Sequence, residues 1–110
     1  MNSQFFSWLL VAASVAAEVA GTIALRFADG FARFFPSVAV CLFYGAAIWL
    51  MSLAVRHLEV GLTYAVWAGS GTALTALVGM LYFNESADAV RLLGFAFIVM
   101  GVVTLNVSAR

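Results

Sequence analysis

Glu18 is the one ionisable side chain that falls inside a long apolar run. The other charges, Arg26, Asp29, Arg33, Arg56, Glu59, Glu85, Asp88, Arg91 and Arg110, fall in short polar stretches or at the C-terminus. A charge at the centre of a bilayer costs about 3 kcal/mol to insert, so an acid kept there is by default a functional one. Desolvation disfavours its charged form, which sets a proton and an organic cation in competition for the same carboxylate. The alternative is a glutamate that stays protonated or snorkels to the interface. Helical spacing puts Ser14, Gly21, Thr22 and Leu25 at i−4, i+3, i+4 and i+7, so small and hydroxyl-bearing residues flank the acid.

An organic cation in a low-dielectric cavity also favours aromatic faces. The candidates are Tyr44, near the centre of the second apolar run, and Tyr64 with Trp67, three apart in the third. Trp8 and Tyr82 lie near run ends and read as interfacial anchors, and Trp49 reads as packing.

The elements that must position these groups follow from composition. The chain has 110 residues, 65% hydrophobic and 9% charged, with zero formal net charge and a mean hydropathy of +1.10. A soluble domain carries roughly a quarter charged residues, and this chain is too apolar to cover itself for water. The same figures exclude disorder, a basic nucleic-acid-binding face and a disulfide-stapled scaffold. Cys41 is the single cysteine and reads as an apolar filler.

Between the polar stretches lie Phe5–Leu25, Phe35–Val55, Val60–Phe83 and Leu92–Ala109. A helix needs about 20 apolar residues to cross the hydrocarbon, and backbone amides in lipid must bond within their own segment. The expected fold is therefore an all-α integral membrane protein, a single domain over 1–110 with four transmembrane helices at about 5–25, 35–55, 60–83 and 92–109. Met1–Ser7 has no Lys or Arg and the first run is too long for a signal peptide, so it is expected to stay in the protein. Gly30 is placed to cap the first helix and Pro36 to open the second.

Orientation is weakly encoded. Arg26, Arg33 and Arg91 fall on one side, and Arg56 and Arg110 on the other, with the N-terminal amine and His57. Two readings fit: the chain inserts both ways up and pairs antiparallel, or the insertion machinery fixes one orientation. Transporter folds commonly use two inverted halves around a midplane site, and four helices supply one half. Depth supports the pair. Counting from run centres puts Glu18 and Trp67 on opposite sides of the midplane, so an inverted copy would bring its Trp67 level with the first chain's Glu18.

The residues resemble those of the small multidrug resistance (SMR) family over essentially the whole chain. The matching pieces are Ala17-Glu18-Val19-Ala20-Gly21-Thr22, then Gly30-Phe31-x-Arg33-x-x-Pro36-Ser37, then Gly61-x-x-Tyr64-Ala65-x-Trp67-x-Gly69-x-Gly71. The resemblance implies an antiparallel, dual-topology homodimer in the inner (plasma) membrane that exchanges protons for a cation by alternating access. It implies that Glu18 is the shared proton and substrate site, with Tyr44, Tyr64 and Trp67 lining the pocket. By the same resemblance Gly69-Ser70-Gly71 is a conformational kink, and Gly94 and Gly101 form the dimer contact. Gly21-Thr22 and Tyr44 match the members that export lipophilic and quaternary ammonium cations. Ser14, on the Glu18 face, departs from that subtype, as do Arg26 and Phe35. Guanidinium or polyamine export, and one half of a heterodimeric pair, are the alternatives. No cofactor, metal or nucleic acid is implied; no nucleophile–base pair or metal spacing appears, and His57 reads as solvated rather than catalytic.

Overall fold

The four apolar runs form four helices in the computed structural model, which describes residues 3–108. They are α1 (Ser3–Ala28), α2 (Phe34–Ala54), α3 (Val60–Tyr82) and α4 (Ala89–Ser108), each long and apolar enough to cross a membrane. Among the described residues there is no strand. The N-terminal amine, Ala109 and Arg110, used above to place the fourth run and to count charges, lie outside the described residues.

The helix ends differ from the apolar runs for local reasons. α1 continues through Arg26 to Ala28, because an arginine at a helix end keeps its head in the polar layer while its stem stays apolar. Three left-handed residues follow, Asp29, Gly30 and Phe31. The reversal thus begins one residue before the glycine expected to cap the helix, and the Arg33 N–H closes it on the Ala28 carbonyl at 3.1 Å. Pro36 sits in the first turn of α2, where its missing N–H leaves nothing unpaired. α4 starts three residues before its apolar run because Asp88 caps it, accepting from the Arg91 N–H at 2.9 Å.

α1 packs along α2, and α3 packs on α1 and α4; among the described residues α4 touches no other helix. Val11, Val15 and Val19 of α1 meet Ala54 and Leu58 in a buried cluster, against which Trp8 and Trp67 lean. α4 contains no buried residue. Gly69 and Gly71 explain how α3 serves two neighbours. Two residues turn a helix by about 200°, so they face opposite flanks. A Cβ on Gly69 would stand 2.5 Å from Val102 of α4, and one on Gly71 would overlap the Glu18 carboxylate of α1. α3 runs unbroken through this stretch.

Candidate functional site

Glu18 lies about 4 Å from the centre of α1, counting 1.5 Å per residue. One turn on, Thr22 donates its hydroxyl to Glu18 Oε2 at 2.8 Å. The Tyr44 hydroxyl of α2 stands 2.6 Å from Thr22 Oγ1. A hydroxyl has one proton to give. With Thr22's proton committed to the carboxylate, the Tyr44 O–H must donate to Thr22. The chain Tyr44 to Thr22 to Glu18 therefore points at the ionised acid, and protonating Glu18 lets the same three groups reverse direction.

Small residues create this geometry. The Tyr44 ring lies on Gly21, where a Cβ would stand 2.6 Å from Cδ1 and 2.7 Å from Cε1. The carboxylate itself rests on Gly71, so a methyl group at either position would displace a member of the chain.

Two cavities open on the acid, and Glu18 and Trp67 wall both. The larger, about 420 Å³, continues past Gly71, Thr72 and Thr75 to Glu85. The smaller, about 230 Å³, is closed by Tyr44, Ala47 and Ile48. The larger falls within the size range of small-molecule sites. Trp67 Nε1 is buried with no hydrogen-bond partner among the described residues.

Other expected site residues sit elsewhere. Ser14 is fully buried and donates its hydroxyl to the Ala47 carbonyl at 2.7 Å, tying α1 to α2 rather than facing either cavity. Tyr64 is 60% exposed and lines neither cavity, but its ring lies 5.7 Å from that of Trp67. Glu18 and Trp67 of one chain wall the same two cavities, although their helix positions lie on opposite sides of the helix centres. Gly94 and Gly101 have open space where their Cβ atoms would be, on the outer side of α4.

Sequence reasoning missed Glu85 and Thr75. Glu85 reads as an ordinary loop charge, and only the fold brings it to the cavity. Thr75 was visible in principle: Trp67, Gly71, Thr75 and Gly79 recur every four residues along one ridge of α3.

The sequence matches the Small Multidrug Resistance protein family over residues 6–98. It is similar to the multidrug resistance protein EbrA of Bacillus licheniformis, at 41% identity over 103 residues, covering 94% of this chain and 96% of the relative. The quaternary ammonium compound-resistance protein QacF of Klebsiella aerogenes is 38% identical over 104 residues, covering 94% of each. The nicotine metabolites export pump subunit NepA of Paenarthrobacter nicotinovorans is 41% identical over 102 residues, covering 93% of this chain and 88% of the relative. Four membrane spans joined by short loops and a family match over most of the chain lead to one conclusion: this multi-pass plasma-membrane protein belongs to the small multidrug resistance family, whose members are transporters and not enzymes.

Proposed function

We propose that the protein is a proton-coupled antiporter that exports lipophilic and quaternary ammonium cations, with Glu18 binding proton and cation in turn. The observation that carries this reading is the hydrogen-bonded chain from Tyr44 through Thr22 to Glu18, ending at a cavity walled by Trp67. The donor chain stabilises the carboxylate when it is charged, and the indole supplies an aromatic face for a cation. Relatives named for quaternary ammonium and multidrug resistance support the substrate class.

A full transporter on this reading is two copies, antiparallel, with the unburied α4 and its open Gly94 and Gly101 at the contact. Protons entering from one side discharge the cation, and deprotonated Glu18 collects another from the opposite side. A ligand moves a two-state equilibrium only by binding the states differently. Exchange is strict because the empty dimer, with two charged carboxylates that lack a counter-ion, switches slowly. The relative named as a pump subunit favours a second reading, in which two non-identical chains make the pair.

The test is transport in proteoliposomes. The purified chain alone is expected to take up tetraphenylphosphonium against an imposed proton gradient, and Glu18→Gln to abolish uptake. Uptake by that variant would refute the mechanism. Uptake only on adding a second gene product would establish the paired form, and a preference for guanidinium or a polyamine would move the substrate to that class.

A further inference from the structure

Glu85 lies in the loop between α3 and α4, yet it lines the same cavity as Glu18. Its position is built. The Phe83 and Glu85 N–H groups both donate to the Gly79 carbonyl, at 3.1 and 3.0 Å, around a left-handed Asn84. That turn folds the Glu85 side chain back onto Gly79, where a Cβ would stand 2.9 Å from its Cδ. α3 thus carries two glycine seats, Gly71 under Glu18 and Gly79 under Glu85. They are eight residues apart, about 12 Å along the axis. Between them Thr75 presents a buried hydroxyl with no partner among the described residues.

A cation already occupies the outer acid. The Arg26 guanidinium lies 3.5 Å from Glu85 Oε2 and 4.7 Å above the centre of the Phe83 ring. A carboxylate beside an aromatic face is the combination that recognises an organic cation. The pair is exposed, 60% at Arg26 and 46% at Glu85, so it is weakly held and open to exchange.

We propose that Glu85 and the Phe83 ring form an outer station for an organic monocation, at the loop end of the cavity that holds Glu18, and that Arg26 fills it until a cation displaces it. The station rests on the reading of Glu18 as the inner cation site. A cation passes from Glu85 along the Thr75 ridge to Glu18, and Arg26 returns to Glu85 behind it.

The experiment is the association rate of tetraphenylphosphonium with the full-length protein, followed by stopped-flow quenching of tryptophan fluorescence. Glu85→Gln leaves Arg26 unpaired in the mouth and is expected to slow association by about tenfold at low salt. Arg26→Ala frees Glu85 and is expected to speed it by several-fold. Both effects should shrink between about 0.01 M and about 1 M salt, as screening shortens. A merely structural ion pair is broken by either change, so the two variants would then move the rate in the same direction. Asp88→Asn alters the net charge of the same loop by the same amount; an equal slowing there would reduce the effect to general steering. Same-sign, absent or Asp88-matched effects overturn the proposal. If Glu85→Gln does not fold, Arg26→Ala decides alone, with acceleration expected and an unchanged or slower rate overturning it. Glu18→Gln separates the two readings. If it retains wild-type affinity, the inner-site reading fails, whatever the loop variants do.

Discussion

Gly71→Ala tests the site's geometry with a single methyl group. In the structure that methyl would overlap the Glu18 carboxylate, which is also held at 2.8 Å by Thr22. The helices cannot separate cheaply, because α1 and α3 pack on each other beside the buried valine cluster. The carboxylate must therefore swing away and lose the Thr22 bond. A hydrogen bond to a charged group contributes about 1.5–3 kcal/mol, and each 1.4 kcal/mol is about tenfold in affinity. Tetraphenylphosphonium should bind Gly71→Ala about 10- to 100-fold more weakly by isothermal titration in detergent. Gly45→Ala is the matched control, since nothing lies within 4 Å of a Cβ there; it should keep wild-type affinity. Binding by a folded Gly71→Ala protein within about twofold of wild type would show that the carboxylate does not depend on that seat.

Three further expectations follow from individual contacts. Ser14→Ala removes the bond to the Ala47 carbonyl, so it should lower thermal stability by about 0.5–1 kcal/mol and leave the ranking of cations unchanged; a reordered ranking would return Ser14 to the binding face. Trp67→Ala should weaken aromatic cations by about 0.5–2 kcal/mol and small tetramethylammonium far less, as read by titration, with equal losses counting against stacking. The Asp88 carboxyl is held below its ordinary range, chiefly by the Arg91 N–H and also by the Ser86 hydroxyl and the Arg91 charge. A depressed carboxyl adds stability above its unfolded value, about 3.9, and that stability is lost as pH falls through the folded value. Melting of the wild type should therefore drop at the acid end through a component that Asp88→Asn lacks, whereas Asp88→Ala should melt lower already at neutral pH because the cap is gone.

The four spans were legible because lipid imposes a simple rule: an apolar run long enough to cross must be a helix, and charges mark where it stops. The rule fails at the ends, where caps and snorkelling decide. Arg26 stays helical and Asp88 starts α4 early, since neither depends on apolar run length. Glu18 and Thr22 were legible as neighbours from helical spacing, and Tyr44 as an aromatic near the centre of its run. The hydroxyl relay among them was not, because it requires Gly21 to seat the tyrosine ring. Ser14 shows the opposite limit. A hydroxyl one turn from an acid looks like part of its site, until the facing carbonyl of Ala47 claims it. Glu85 reaches the cavity only through the reversal at Asn84, a feature of backbone geometry that side-chain type does not announce.

The account stands on one carboxylate taking a proton and a cation in alternation. Its most direct measurement is proton release on saturating the detergent-solubilised protein with tetraphenylphosphonium in weakly buffered solution, beside cation affinity from acidic to alkaline pH. Binding should expel protons and tighten as pH rises, and both effects should vanish in Glu18→Gln. Cation binding that releases no proton and holds the same affinity at every pH would contradict it.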